Sequence, residues 1–303
     1  MSLDPNQLAA LSAIVRYGSF DAAAAHLNVT PSAISQRIRS LEDRMGTALI
    51  YRGHPCTATE AGTRLARHAE DVALMQAHVL RDIAPAAGPS AARIRIAVNA
   101  DSLATWFVHG LSQVDDMLFE LVIDDQDHST DWLLRGAVSA ALTGQAKAVS
   151  GCNSVTLGAL RYVATASPDY MSRWFADGVT PDALARAPIM TFNAKDALQH
   201  RWITHATGQK LSPPAHHIPS THAFVDAALA GIGWGMNPLS LVAHHLERGT
   251  LVALGPDRPL DVPLYWQTSR LMSSALEPLN RATRDAARRH LVQTPHENVM
   301  QKK

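Results

Sequence analysis

The stretch GSFDAAAAHLNVTPSAISQRIRSLEDRMGTALIYR, residues 18–52, predicts two short helices separated by a tight polar turn. Ser19 suits the N-cap of the first helix, and Thr30 followed by Pro31 is a typical start for the second. The second helix carries apolar residues at steps of four, three and four, which are Ile34, Ile38, Leu41 and Met45. This spacing predicts an amphipathic helix with one buried stripe, and Gly46 is well placed to end it.

The other face of the second helix carries small or flexible hydrogen-bonding side chains. Arg and Gln can pair with base edges in the major groove, while hydroxyls reach bases or phosphates. The pattern is typical of a helix-turn-helix, although a helical hairpin in any all-α region also fits it. The candidate contacts to double-stranded DNA are Thr30, Ser32, Ser35, Gln36, Arg37, Arg39 and Arg52.

The residues after Gly46 predict a strand, a turn and a second strand, which together would form the wing of a winged helix. Arg52 and His54 would lie there, within reach of phosphate or the minor groove. A plain connecting hairpin is the alternative interpretation.

The same region resembles the N-terminal signature of LysR-type transcriptional regulators over nearly fifty positions. One departure is the pair Ile50-Tyr51, where the family usually has a Leu-Phe-type pair, and we expect the same packing from it. The matching residues are Gly18-Ser19-Phe20, Ala23-Ala24, Leu27, Pro31-Ser32-Ala33, Ser35, Ile38, Leu41-Glu42, Gly46, Leu49, Arg52, Thr59, Ala61-Gly62 and Leu65.

Composition predicts an ordered globular protein of two or three domains, since 47% of 303 residues are hydrophobic and 18% are charged. The formal net charge of zero counts mildly against DNA binding. Cys56 and Cys152 match neither a metal-binding spacing nor a disulfide framework, which fits a reducing cytoplasm. We expect a cytoplasmic protein without membrane contact, because the sequence shows no signal-peptide pattern and no run of about 18 apolar residues.

The sequence patterns divide the chain into an N-terminal, mainly helical DNA-binding part and a C-terminal sensor part of alternating strands and helices. The predicted fold class is therefore α plus α/β. Heptad spacing of Leu65, Val72 and Val79, with Ala69, Gln76 and Ile83 between them, favours a helix that pairs two copies of the chain. The predicted units are a winged helix-turn-helix at 1–58, a linker and dimerisation helix at 59–83, a hinge at 84–92, an effector domain at 93–291 and a disordered tail at 292–303.

From residue 93 onward, strand and helix patterns alternate, which points to a parallel α/β sheet. The order predicts two lobes, with lobe one at 93–161 and 266–291 and lobe two at 162–265. This layout resembles the effector domain of LysR-type regulators, which is itself similar to periplasmic binding proteins.

Ligands bind outside the carboxyl ends of strands in open α/β sheets, and three loops meet this condition. The helix start at residues 99–102 would receive a carboxylate, and the acidic loop at 124–127 an ammonium or guanidinium. The third loop, at 219–222, belongs to lobe two. N-cap and solvated-loop roles are the alternatives for these residues. The effector-site candidates are Asp101, Ser102, Asp124, Asp125, Thr191, Ser220 and Thr221.

An anion-binding helix start opposite an acidic cluster suits lysine or arginine. The segments at 96–107, 189–199 and 219–231, together with the acidic loop, resemble the lysine- and arginine-responsive ArgP/LysG-type branch. The resemblance implies a homodimer that assembles to a homotetramer, activation of transcription through RNA polymerase, and control of a basic amino acid exporter. We expect no cofactor and no enzymatic activity. An effector-independent architectural or replication-inhibiting DNA-binding protein is the alternative, and an enzyme or transport-type binding protein is a weaker one.

Overall fold

The protein was analysed as a computed structural model that describes residues 3–83, 92–124 and 129–293, without the side chains of residues 81 and 82. The predicted hinge at 84–92 lies outside the described residues except for Ala92, and the tail lies outside them from residue 294.

The N-terminal part is a three-helix core made of α1 (Pro5–Tyr17), α2 (Phe20–His26) and α3 (Pro31–Met45). Asp4, Ser19 and Thr30 cap the three helices by accepting hydrogen bonds from backbone amides of the first turn. Gly18 and Gly46 end α1 and α3 in the left-handed conformation that glycine adopts without strain. The predicted helix-turn-helix is therefore present, with its ends where the capping residues placed them.

A short hairpin follows α3, in which β1 (Ile50–Tyr51) pairs antiparallel with β2 (Thr57–Ala58). It is shorter than the wing expected from the sequence. The carboxylate of Glu42 accepts hydrogen bonds from the amides of Leu49 at 2.8 Å and Ile50 at 3.3 Å. These bonds fix the wing to the second helix of the helix-turn-helix.

The long helix α4 (Glu60–Ile83) passes from the wing to the sensor part of the chain. Its inward residues Leu74 and Ala77 are buried in the same core as the first strand of the sensor domain. The predicted heptad positions Val79 and Ile83 are instead exposed, by 54% and 72%. The C-terminal end of the predicted seam thus lies on the outer face of α4.

The sensor part contains nine strands, which are β3 (Ala92–Val98), β4 (Met117–Ile123), β5 (Ala140–Thr143), β6 (Cys152–Ala166), β7 (Ile189–Thr191), β8 (Ala215–His217), β9 (Gly235–Pro238), β10 (Val252–Ala253) and β11 (Leu260–Ser269) among the described residues. Seven of them form one sheet in the order β10-β6-β11-β5-β3-β4, with β9 also paired to β6. Strands β7 and β8 form a separate parallel pair.

Within the seven-stranded sheet, the prediction of parallel pairing is right only around β3, which pairs in parallel with β4 and β5. The long strands β6 and β11 run antiparallel to each other along ten paired positions, and β9 and β10 join β6 in the same sense. Strand β6 carries the chain from lobe one, which contains β3–β5, to lobe two, which contains β7–β9, and β11 carries it back. Because β6 and β11 lie side by side and run in opposite directions, the sheet contains both parallel and antiparallel pairs.

Helices cover both lobes of the sensor part. The helix predicted from about Leu103 begins at Ala100 and contains a π-helical turn at Leu103–Phe107. One helix, α12 (Leu239–Glu247), was not predicted, since it follows a strand through Pro238 without a polar N-cap residue. The helices are α5 (Ala100–Ser102), α6 (Val108–Leu111), α7 (Ser129–Leu134), α8 (Pro168–Trp174), α9 (Pro181–Arg186), α10 (Leu198–Thr207), α11 (Thr221–Leu229), α12 (Leu239–Glu247) and α13 (Glu277–His290).

The predicted disordered tail starts too early at residue 292. Val292 exchanges two backbone hydrogen bonds with Ala159, at 2.9 and 3.0 Å. The side-chain amide of Gln293 donates to the carbonyl of Leu157 at 3.3 Å. Strand pairing therefore orders the chain through residue 293.

Among the described helices, none is both long enough and apolar enough to cross a membrane.

Candidate functional site

The outward face of α3 carries Ser32, Gln36 and Arg39, all exposed, while Ile34 and Ile38 on the inward face are fully buried. At 100° per residue these three side chains lie within roughly 60° of one another around the helix axis. They form a narrow, polar and cationic strip that an approaching groove can reach without disturbing the core.

The remaining candidate DNA contacts differ in how they are held. The Thr30 hydroxyl caps α3 by accepting from the amide of Ala33 at 3.2 Å, and it lies 2.9 Å from the hydroxyl of Ser32. Ser35 is half-buried at the edge of the strip. Arg37 is half-buried and lies roughly 140° around the helix from Ser32, so the fold places it outside the strip.

Arg52 lies on the wing and is exposed. Its guanidinium carbon is 5.4 Å from the centre of the Phe20 ring, and Nη2 is 3.9 Å from Oε2 of Glu42. The ring and the carboxylate hold the cation beside the N-terminus of α2.

A cleft of about 810 Å³, including the solvent at its mouth, opens between the lobes at the carboxyl ends of β3 and β4. Its walls mix carboxylates, cations and apolar side chains. The lining residues are Asn99, Ala100, Asp101, Ile123, Asp124, Tyr162, Phe192, Asn193, Lys195, Asp196, Ala197, Leu198 and Arg201.

Asp101 joins three elements at the floor of this cleft. Its Oδ2 accepts a hydrogen bond from the hydroxyl of Tyr162 at 2.7 Å, and its Oδ1 accepts one from Thr221 at 2.7 Å. Two of the predicted effector residues, from different lobes, therefore meet. The helix cap is Asn99, which makes no side-chain cap bond.

Ser102, by contrast, does not face the cleft as predicted. Its side chain is fully buried, and its hydroxyl has no hydrogen-bond partner among the described residues. Asp101 and Ser102 are successive residues of α5, so their side chains point about 100° apart around the helix axis, and only the carboxylate lines the cleft.

Asp124 follows β4 and lines the cleft as predicted. Its Oδ2 accepts a hydrogen bond from the indole Nε1 of Trp132 at 2.8 Å. The second predicted carboxylate of this loop, Asp125, lies outside the described residues.

The other two lobe-two candidates do not line the cleft. Thr191 is buried, and its hydroxyl lies 2.7 Å from Nδ1 of His217 on the neighbouring strand. Ser220 is exposed and caps α11 by accepting from the amide of Ala223 at 3.4 Å. In the same loop, Thr221 alone reaches a cleft residue, through Asp101.

Outside the three loops predicted from the sequence, the fold brings five polar residues to the cleft, namely Tyr162, Asn193, Lys195, Asp196 and Arg201. Tyr162 lies in the middle of a buried strand, where the sequence alone cannot distinguish a binding-site tyrosine from a core tyrosine. Lys195, in the loop before α10, and Arg201, in the first turn of α10, are both exposed cations. Asp196 builds that loop, since its carboxylate accepts from the amides of Phe192 at 2.8 Å and Leu198 at 3.0 Å.

Both parts of the chain match known protein families. Residues 5–63 match the model described as bacterial regulatory helix-turn-helix protein, lysR family. Residues 87–288 match the model described as LysR substrate binding domain.

Individual relatives match along almost the whole chain. ArgP from Mycobacterium tuberculosis is 42% identical, and its crystal structure superposes with a TM-score of 0.80 over 97% of this chain and 100% of that one. Full-length LysG from Corynebacterium glutamicum with bound effector Arg is 35% identical, with a TM-score of 0.68 over 96% and 100%. The lysine export transcriptional regulatory protein LysG of Corynebacterium efficiens is 36% identical over 290 residues, or 94% of this chain and 98% of the relative.

Proposed function

The chain belongs to the LysR family of bacterial helix-turn-helix regulators, and from that premise we propose that it switches transcription when a basic amino acid fills its interlobe cleft. It is a DNA-binding transcriptional regulator, as its relatives are, and not an enzyme. The proposed target is an amino acid exporter or a gene of amino acid metabolism.

The observation that carries the proposal is the placement of Asp124 at a cleft wall whose opposite rim carries Lys195 and Arg201. A carboxylate suits the ammonium of lysine or the guanidinium of arginine, and charge-assisted hydrogen bonds of this kind are the strong ones. The two cations and the helix start at Ala100 suit the effector's α-carboxylate. Ile123 and Phe192 also line the cleft, and their apolar side chains suit the aliphatic stem.

The bound effector Arg of the C. glutamicum relative supports this assignment, because that protein is similar over almost its whole length. We assign effector contact to Asp101 and Asp124 among the sequence candidates. Ser102, Thr191 and Ser220 have structural roles in this proposal, and Thr221 acts by holding Asp101.

DNA recognition is assigned to the strip of Ser32, Gln36 and Arg39, with Arg52 on a phosphate. The exposed apolar positions Val79 and Ile83 of α4 favour pairing with a second copy, and a two-fold dimer presents two α3 helices to a pseudo-palindromic site. We further propose assembly of two dimers into a tetramer, contact with RNA polymerase, activation of the target gene and a cytoplasmic location.

We also propose that the DNA-binding domain spans residues 1–58, the linker helix 59–83, the hinge 84–92 and the effector domain 93–291. The two lobes would be 93–161 with 266–291, and 162–265.

Calorimetry with matched neutral analogues tests the effector. Lysine and arginine should bind, whereas norleucine and citrulline, which lack the side-chain charge, should bind roughly 10–100-fold more weakly through loss of a charged hydrogen bond. Footprinting on the upstream region of the gene, with and without lysine or arginine, tests the response. Equal binding of the neutral analogues would overturn the charge assignment, and an unchanged footprint and DNA affinity would favour an effector-independent architectural protein.

A further inference from the structure

The short helix α7 connects the cleft to the linker helix α4. At the cleft, Trp132 of α7 donates its indole N–H to Asp124 at 2.8 Å. On the other side, Arg67 of α4 donates to the carbonyl of Gly136 just after α7, and the hydroxyl of Ser139 donates to Asp71 of α4 at 3.0 Å. We propose that Trp132 is the positioning residue that passes effector occupancy at Asp124 to α4. This inference rests on the proposed function of the cleft.

The backbone links the indole firmly to the residues that hold α4. The amide of Ala137 donates to the carbonyl of Trp132 itself at 2.6 Å, and the amide of Gly136 donates to Leu133 at 2.9 Å. A displacement of Trp132 therefore moves the Gly136 carbonyl, which is the acceptor for Arg67.

A second route runs through Arg95 on β3. Its guanidinium lies over the indole of Trp132, with the carbon 5.8 Å from the ring centre, and its Nε is 2.9 Å from Glu120. The carbonyl of Arg95 accepts from the amide of Ser139 at 3.1 Å. The indole is thus coupled to both α4 contacts, through α7 on one side and β3 on the other.

On α4, the charged groups Arg67 and Asp71 are partly buried, which makes them sensitive to small displacements of their hydrogen-bond partners. Burial is the largest cause that lowers the pKa of Arg67, and the nearby positive charge of Arg95 lowers it further. Burial also raises the pKa of Asp71, against the hydrogen bond from Ser139. Charges in such a setting depend on their few partners, so loss of a single bond changes the preferred position of α4.

The effector acts on this connection through charge. An ammonium or guanidinium at Asp124 competes with the Trp132 N–H for the same carboxylate. The indole then moves, the contacts of Arg67 and Asp71 change, and α4 reorients the paired helix-turn-helix units. Because the link is reciprocal, DNA binding alters effector affinity by the same factor.

The test separates binding from coupling with Trp132→Phe, which removes the N–H and retains an aromatic ring under Arg95. The matched control is Trp174→Phe, since Trp174 also lies under an arginine, with Arg173 at 5.3 Å, but packs against Tyr170 in lobe two and not beside Asp124. Arginine affinity is measured by calorimetry, and DNA affinity by anisotropy with and without arginine.

Trp132→Phe should bind arginine at least as tightly as wild type, because the competing N–H is gone, but should reduce the effector-dependent change in DNA affinity by about fivefold or more. The control should retain both properties of the wild type. A full effector response in Trp132→Phe would overturn the proposal.

A second variant works without any effector. Ser139→Ala should shift the Trp132 fluorescence, taken as the difference between parent and Trp132→Phe spectra, and should change the basal DNA affinity. If the wild type bound no basic amino acid, the proposed function would fail, while this arm would still decide whether Trp132 and α4 are coupled. An unshifted difference spectrum would refute the coupling.

Discussion

Thr221 donates its hydroxyl to Oδ1 of Asp101 at 2.7 Å, which joins two strand-to-helix junctions that lie 120 residues apart in the chain. Asp101 belongs to lobe one and Thr221 to lobe two, so this bond crosses the cleft in which we place the effector. The hydroxyl of Tyr162 on the connecting strand β6 occupies the other oxygen. The floor of the cleft is therefore also a joint between the lobes.

Replacing Thr221 with Val should weaken this joint. Valine keeps the shape of threonine but removes the donor, and a hydrogen bond to a charged acceptor contributes roughly 1.5–3 kcal/mol. We expect the free energy of unfolding of the effector domain to fall by about that amount, measured by urea denaturation. Thr221→Ser, which keeps the hydroxyl, should recover most of the loss, and a Val variant as stable as wild type would show that the bond contributes nothing.

Local signals allowed α3 to be predicted to within a residue. Thr30 and Pro31 mark its start, Gly46 marks its end, and the apolar spacing identifies its buried face. Where such signals are missing, prediction failed: α12 follows Pro238 without a polar cap, and its apolar residues resemble those of a strand. The antiparallel pairing of β6 with β11 was missed because it depends on contacts between residues about 100 positions apart.

The candidate site was predictable in part for the same reason. Asp101 and Asp124 follow strands, and this position alone brings a side chain to the ligand edge of an α/β sheet. Whether the next side chain turns inward, as Ser102 does, depends on the turn geometry. Tyr162 looked like a core residue because its ring is buried in the middle of a strand, and only its hydroxyl reaches the cleft.

Asp124→Asn should remove the effector response while sparing DNA binding. Asparagine keeps an acceptor for Trp132 but loses the charge that attracts a basic side chain. We expect affinity for lysine and arginine to drop roughly 10–100-fold by calorimetry. DNA affinity without effector should stay at the wild-type level, and a retained response to arginine would contradict the role assigned to Asp124.

Arg39→Ala should cost about 1–3 kcal/mol of specific DNA binding and relax sequence preference at one position of the site. The side chain is exposed on the strip of α3, where a bidentate contact to a base is available. Competition binding with single-base operator variants measures the effect. Arg52→Ala is the comparison, since loss of a phosphate contact should weaken binding to all DNA sequences equally and reduce the salt dependence of the affinity. A loss of affinity that was the same for all operator variants with Arg39→Ala would reassign Arg39 to a phosphate contact.

Gly62→Ala should disrupt the junction between α4 and the wing. A Cβ at this position would lie 1.9 Å from the carbonyl oxygen of Leu49, which is backbone and cannot rotate away. We expect a lower melting temperature of the DNA-binding domain and loss of operator binding. Thr63→Ala, an exposed change on the next residue of the helix, should have little effect. A Gly62→Ala variant with wild-type operator binding would mean that α4 can move away from Leu49 without loss of function.

Stability should depend on pH through Asp71 and Glu70 on α4. Burial raises the pKa of both carboxyls above their ordinary values of 3.8 and 4.5, so the folded state holds these protons more tightly than the unfolded chain. Their contribution to stability is fully present below the ordinary values and is lost as the pH rises through the raised ones. Asp71→Asn removes the titration but leaves an acceptor for Ser139. The stability of this variant relative to wild type should therefore increase from about pH 4 to about pH 7 in urea denaturation. A relative stability that stayed flat or fell over this range would show that ionised Asp71 is not penalised at the interface with lobe one.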